Sequence, residues 1–405
     1  MRKHAIWWVA AGLGVANAIL LRGFELAVND GTNWLWNDVF RSNVYRWVVV
    51  PLAVALSIAL SWFIYRLHEQ RVVAPDSNLT DELSGAPANL GSIGIVLAIG
   101  LASLLAGASL GPEASLMTAA AGLGSWAAVR GHIGPGRELL VLASVGALLV
   151  AFLGSGIMVT VPLLILWKQK QFKLQPAAVI LLAGLSSLAI LHVIDPHHPG
   201  FGSLPPMPAA VFHDFVIAPI VGCAATVVAL VLTYFIARFT EAAKRIDQRC
   251  RPSLAAALFG LGVGLLYLLG GESIQFSGSV GAHQLVQNAP TYSLLTVAGL
   301  LLAKLLATSW SKGSGYRGGL VFPSIYMGTA LGLLVAQLNA GWAGVGASVG
   351  GIAGMLTAVV GSPVLAAVFL IAIVPLKSLL VALLAVVGST VGATILKRSL
   401  HRPER

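Results

Sequence analysis

The sequence predicts an all-α membrane protein built from two related halves, with some helices that break inside the bilayer. Of its 405 residues, 57% are hydrophobic and only 10% are charged, whereas soluble domains carry about 25% charged residues. Several uncharged runs have the length of a membrane-spanning helix. Glycine-rich patterns also recur at one spacing in the two halves. This composition excludes a cytosolic enzyme, because a water-facing surface needs more charge.

The first apolar run covers residues 5–21 and follows the basic pair Arg2 and Lys3. It resembles a signal peptide, but no small-residue cleavage site before a soluble domain follows it, so we predict a retained first membrane helix. Four further uncharged runs predict spanning helices over residues 47–65, 174–194, 215–237 and 378–396.

Three other segments contain glycine and proline inside apolar sequence, over residues 107–124, 313–332 and 341–363. Such interruptions predict helices that end within the membrane, where they line a binding site or cavity.

The net charge is +10, and basic clusters lie at the N-terminus, at residues 238–251 and at residues 397–405. Residues 271–290 contain no Lys or Arg. The positive-inside bias therefore predicts a cytoplasmic membrane protein with both termini in the cytoplasm, and the charge does not indicate nucleic-acid binding. The two cysteines, Cys223 and Cys250, predict no disulfide framework.

A proline-rich linker near the midpoint divides the chain into a first repeat, residues 1–200, and a second, residues 209–405. Gly318 stands as far beyond Gly111 as Gly361 stands beyond Gly154, and each opens or breaks an apolar segment. We predict a single transmembrane domain over residues 1–405, without a soluble regulatory domain. Duplicated halves with broken helices are typical of transporters and channels.

Glu113 is the only charged residue in positions 83–129. It follows Gly111 and Pro112, which predicts a helix start. A carboxylate within the membrane is a functional candidate by default, although an ordinary helix-start acid at the interface is the alternative. A helix start inside the bilayer favours an anion. Glu113 could take the anion's place when ionised and leave when protonated, which describes a pH-sensitive gate.

Residues 107–115 resemble the Gly-Lys/Arg-Glu-Gly-Pro motif that carries the gating glutamate of CLC chloride channels and proton/chloride exchangers. Residues 318–323 resemble the Gly-x-Phe-x-Pro motif of the same family. The resemblance spans the chain and implies an inverted repeat, a homodimer with one pore per subunit, and no cofactor or metal. It also implies a chloride-like anion held by backbone N–H groups, which here belong to Gly319, Leu320, Val321, Phe322 and Ala114.

The sequence departs from the family pattern in several places. Pro112 replaces a basic residue and removes one backbone donor, while Val321 stands where phenylalanine is usual. The family's Gly-Ser-Gly-Ile-Pro motif has no counterpart, and its place holds Asp76. Asp76 is open to two interpretations, a pore or coupling acid, or a helix cap in a cytoplasmic loop.

The family's exchangers usually carry a second, internal glutamate, but residues 163–168 contain no carboxylate, and the family's late tyrosine is missing. We therefore predict passive anion transport gated by Glu113. The alternative is a coupled secondary transporter that exchanges protons for anions or moves another solute. A metal site at His197 and His198, and a serine hydrolase at Ser155, are weaker hypotheses.

Overall fold

The structure is a computed structural model, and it describes residues 5–37, 45–68, 90–132, 136–196, 210–339 and 344–400. Every long regular element in these ranges is a helix. The α-helices are α1 Ala5–Thr32, α2 Tyr45–His68, α3 Leu90–Leu105, α4 Glu113–Arg130, α5 Arg137–Leu153, α6 Thr160–Lys168, α7 Leu174–Ile194, α8 Asp214–Arg249, α9 Pro252–Gly270, α10 Ser279–Gln287, α11 Leu294–Gly313, α12 Val321–Leu338, α13 Val345–Val360, α14 Pro363–Ile373 and α15 Leu379–Leu400.

Eight helical stretches among the described residues are long and apolar enough to cross a membrane. They are Ala5–Asn37, Trp47–Arg66, Leu174–Ile194, Asp214–Arg249, Pro252–Ile274, Leu294–Gly313, Val321–Leu338 and Leu376–Arg398. The prediction of helices over all five uncharged runs is confirmed. The sequence analysis did not name Pro252–Ile274 or Leu294–Gly313, and Lys304 interrupts the uncharged run in the second of these.

Helices also break where glycine and proline predicted interruptions. The chain leaves α3 at Leu105 and resumes a helix only at Glu113, and it leaves α11 at Gly313 and resumes at Val321. The α5 and α13 helices end at Gly154 and Gly361, which have φ angles of 62° and 69°. Glycine adopts this left-handed conformation without the penalty that a Cβ would bring.

The chain forms two compact units. The first unit comprises Met1–Trp36, Trp62–Leu105 and Pro112–Ser203. In it α1 packs on α5 and α7, and α4 packs on α3 and α5. Asn17 of α1 donates to the Ser144 hydroxyl of α5 at 2.9 Å, and this hydroxyl donates to the Ala120 carbonyl of α4 at 2.6 Å. These bonds engage the Asn17 amide N–H and the Ser144 hydroxyl and join α1, α5 and α4.

The second unit comprises Asn37–Ser61, Ala106–Gly111 and Leu204–Arg405. The long helix α8 packs against α11, α13 and α15, and α12 packs against α11 and α13. A Cβ built on Gly328 of α12 would lie 2.6 Å from the Gly351 carbonyl oxygen of α13. Such close approach is typical of small-residue packing between membrane helices, and it fixes the position of α12.

Candidate functional site

A non-helical segment of turns and bends, residues 106–111, precedes α4 in the chain and belongs to the second unit. The Tyr267 hydroxyl donates to the Gly107 carbonyl at 2.6 Å and accepts from the Phe276 N–H at 3.1 Å. The Ser109 N–H donates to the Ser311 hydroxyl at 3.0 Å. Side chains of the second unit therefore satisfy two polar backbone groups of this buried segment, and buried non-helical chain at membrane depth needs such partners.

The same segment pairs with the chain just before α12. Gly111 and Gly319 form an isolated antiparallel bridge, in which Gly111 N–H donates to Gly319 O at 3.0 Å and Gly319 N–H donates to Gly111 O at 2.8 Å. A Cβ on Gly318 would lie 2.5 Å from the Leu110 Cβ. Residue 318 must therefore be glycine for the two backbones to approach this closely.

The bridge narrows the set of predicted anion donors. Gly319 was predicted to offer its N–H to the anion, but in the structure this N–H donates to the Gly111 carbonyl. Sequence reasoning could not detect the engagement, since it depends on pairing with a residue in the other half of the chain. The anion contacts of Leu320, Val321 and Phe322 stay predictions.

These three residues form the start of α12. Leu320 is the N-cap residue, with φ −107° and ψ −5°, and Val321 is the first helical residue. The Leu320 carbonyl accepts from the Ser324 N–H at 3.0 Å and from the Ser324 hydroxyl at 2.6 Å. The Phe322 side chain is fully buried. The first turn of an α-helix presents N–H groups and a partial positive charge beyond its end, a favourable environment for an anion.

Two basic residues lie directly before this helix start. The Lys312 ammonium donates to the Gly318 carbonyl at 3.0 Å, and Arg317 is buried with 5% exposure. Two adjacent residues that lead into α12 are therefore held in place, Gly318 by the Lys312 ammonium and Gly319 by the bridge to Gly111.

Glu113 is the first residue of α4, in the first unit, with Pro112 as its N-cap. The Glu113 side chain is buried, with 8% exposure. The predicted helix start at this carboxylate is confirmed. Ala114 follows, and its carbonyl accepts from the Thr118 hydroxyl at 2.9 Å. The gating role of Glu113 and the anion contact of Ala114 stay predictions.

Lys304, in the middle of α11, was not identified from the sequence. Its side chain is fully buried, and its ammonium donates to the Ser109 hydroxyl at 2.9 Å and to the carbonyls of Ile274 and Phe276 at 3.0 and 2.6 Å. The sequence does distinguish this residue, because Lys304 is the only Asp, Glu, Lys or Arg in positions 273–311. The same criterion identified Glu113.

Other candidates contribute less. Asp76, His197 and His198 lie outside the described residues. Helix α6 ends at Lys168, and its last residues contain no carboxylate, as the sequence indicates. However, Glu138, from the first turn of α5, accepts from the Gln169 side chain at 3.4 Å. An exposed carboxylate therefore stands at the end of α6, which the sequence analysis missed because Glu138 and Gln169 are distant in the chain.

The comparisons with known proteins agree on one family. The family model for the voltage gated chloride channel matches residues 59–394. The Escherichia coli (strain SE11) protein YfeO, named for a proposed role in ion transport, is 26% identical over 358 residues, covering 81% of this chain and 78% of YfeO. YfeO of Escherichia coli O139:H28 is 26% identical over 355 residues, with the same coverage.

Two solved structures share the fold. The crystal structure of a slow cyanobacterial Cl−/H+ antiporter aligns with a TM-score of 0.74 at 18% identity and covers 100% of both chains. A CLC-type fluoride/proton antiporter aligns with a TM-score of 0.70 at 15% identity, covering 95% of this chain and 94% of its own. The family match extends over most of the chain. The protein therefore belongs to the voltage gated chloride channel, or CLC, family of multi-pass membrane transport proteins, and it is not an enzyme.

Proposed function

We propose that this protein conducts chloride or a similar anion passively, with Glu113 as the gate. CLC-type anion transport follows from family membership. In our proposal, the anion is held by backbone N–H groups of Leu320, Val321 and Phe322 at the start of α12.

The observation that carries the site is the construction of the α12 start. The Gly111 bridge, the Lys312 ammonium and the Ser324 hydroxyl fix the backbone on both sides of Leu320. Fixed backbone dipoles favour an anion without needing to reorganise when it arrives. No carboxylate belongs to residues 314–338, so the polypeptide itself offers no competing negative charge within this stretch.

The passive mechanism is supported by the end of α6, where Trp167 and Lys168 are exposed and no acid is part of the helix. A cation at this position opposes proton entry.

A second candidate is proton-coupled anion exchange. It is favoured by the two structural relatives, which are antiporters, and by Glu138, whose carboxylate lies at the end of α6. We propose Asp76 as a further coupling acid in that case.

We also propose a homodimer in the cytoplasmic membrane with both termini in the cytoplasm, supported by the family resemblance and by the basic clusters.

The deciding experiment reconstitutes the protein in liposomes and imposes a chloride gradient while external pH is recorded. Passive transport predicts chloride flux without uphill proton movement. Proton pumping at a fixed stoichiometry would contradict it. In that case Glu138→Gln and Asp76→Asn are compared, and the variant that abolishes pumping while retaining chloride flux identifies the coupling acid.

The same preparation tests the anion site by isothermal titration calorimetry with sodium chloride. Leu320→Pro removes one backbone N–H, whereas Leu320→Ala removes only the side chain. We expect the proline variant to bind chloride about tenfold more weakly, the effect of one charge-assisted hydrogen bond, and the alanine variant to bind like the wild type. Equal losses in both variants would show that the backbone donor is not the cause.

A further inference from the structure

The most unusual group outside the proposed gate and anion donors is the Lys304 ammonium. Charged side chains are rarely fully buried unless paired or hydrogen-bonded. Lys304 meets three oxygen acceptors, the Ser109 hydroxyl and the carbonyls of Ile274 and Phe276, at 2.6–3.0 Å. An ammonium has three N–H donors and no acceptor. The acceptor set therefore matches the charged form of lysine.

A fourth contact reinforces this assignment. The Lys304 nitrogen lies 5.5 Å from the centre of the Tyr326 ring, within the range of a cation–π interaction. A Cβ on Gly278 would lie 3.0 Å from the same nitrogen, so glycine leaves the space that the ammonium fills. The second unit thus provides oxygen acceptors, an aromatic ring and space for the Lys304 ammonium.

The charge lies near the start of α12. Tyr326 is about 7.5 Å along the helix axis from Val321, at 1.5 Å of rise per residue. Ser109, which accepts from Lys304, is two residues before Gly111, and Gly111 pairs with Gly319 immediately before Leu320. The ammonium is therefore linked to the first turns of α12 by one ring contact and, through Ser109, by the segment that pairs with Gly319.

We propose that Lys304 is a fixed internal cation that raises anion affinity at the α12 start. The inference rests on the proposed function of that helix start and adds a residue that touches none of its donors. At a separation of about 12 Å and an effective dielectric constant of about 20, one unit charge changes an anion binding constant by about tenfold. Lys304 thus acts through its field, and the Ser109 bond holds the ammonium in place.

The test changes charge at constant volume. Ser109→Asp places a carboxylate beside the ammonium and neutralises it, whereas Ser109→Asn has nearly the same size and no charge. We expect chloride to bind Ser109→Asp about tenfold more weakly than Ser109→Asn by calorimetry, and chloride flux in liposomes to fall in parallel. Both variants are first checked for folding by gel filtration and thermal unfolding.

A second pair gives the same comparison should Ser109 tolerate neither change. Lys304→Arg keeps the charge and should retain chloride affinity within about threefold, whereas Lys304→Gln should lose about tenfold. Equal chloride affinity within either folded pair overturns the role of the charge, and so does an equal loss in Lys304→Arg and Lys304→Gln. A wild-type protein that binds neither chloride nor bromide overturns the proposed anion site itself. The two failures are therefore distinguishable.

Discussion

Glu113 is the first residue of α4, and its side chain is buried. It is also the only charged residue in positions 83–129. A carboxyl group at that position can carry a negative charge or take up a proton. Glutamine has the same shape but always remains neutral. The gate hypothesis therefore depends on a single proton.

We predict that Glu113→Gln removes most of the pH dependence of anion flux. Wild-type flux should rise by about tenfold between neutral pH and about pH 4, because protonation removes the negative charge that opposes an anion. The variant should conduct at the high rate throughout. Liposome chloride flux measured across this pH range checks the expectation. Glu241→Gln, at an exposed position near Arg238, is the matched control and should follow the wild type. A wild-type pH profile in Glu113→Gln would remove Glu113 from the gate.

Residue-level prediction from sequence succeeded where a single position carries the signal. The isolation of Glu113 in apolar sequence, together with Pro112, identified a buried helix start. Lys304 carries an equal signal, but its surroundings come from Ser109, Ile274 and Phe276, which are distant in the chain. The Gly319 N–H was wrongly considered available, because only the fold reveals its bond to Gly111.

At the scale of elements, the contact between α12 and α13 depends on glycine. The Gly328 carbonyl oxygen lies where a Cβ on Gly351 would be, and a Cβ on Gly332 would lie 2.5 Å from the Ala347 carbonyl oxygen. The backbones of the two helices touch directly at these points. The position of the α12 start therefore depends on the absence of side chains about two to three turns further along the helix.

We predict that Gly351→Leu lowers the free energy of unfolding by about 1–3 kcal/mol or more, through overpacking, and weakens chloride binding because α12 is displaced. Gly299→Leu on α11 is the control, since a Cβ there meets nothing within 4 Å. Thermal unfolding in detergent and chloride calorimetry measure both effects. Equal behaviour of the two variants would show that the glycine contact does not position α12.

Element boundaries followed from the sequence where local chemistry decides them. Gly154 and Gly361 end their helices in the left-handed conformation, and Ser362 caps α14, whose first residue is Pro363. By contrast, α11 was not predicted as a spanning helix, because a lysine within a membrane helix is unfavourable unless buried acceptors surround it. The acceptors of Lys304 are evident only from the structure. Local patterns therefore predicted helix ends better than they predicted which helices span.

At the scale of the whole molecule, α8 is longer than a bilayer requires. Its 36 residues extend about 54 Å, against a hydrocarbon core of about 30 Å. The C-terminal part carries exposed ion pairs of Glu241 with Arg238 and Arg245. In the proposed topology this end, and the nearby Cys250, face the cytoplasm.

We predict that a membrane-impermeant maleimide labels Cys250 in inside-out vesicles but not in intact cells, when measured in a Cys223→Ser background. Gln287→Cys, introduced without the native cysteines into the segment that lacks Lys and Arg, should show the opposite pattern. Both positions have side chains that are at least partly exposed. Labelling of Cys250 from outside the cell would reverse the proposed topology.

The bridge between Gly111 and Gly319 also bears on how this sequence could diverge. Main-chain atoms make both hydrogen bonds, so replacing a neighbouring side chain does not remove them. The unusual residues of the two motifs, Pro112, Ala114 and Val321, flank the bridge without forming it. Neighbouring residues can therefore be substituted during evolution while the geometry of the bridge is kept. Gly318 is the exception, because Leu110 and Gly111 leave no room for a methyl group there.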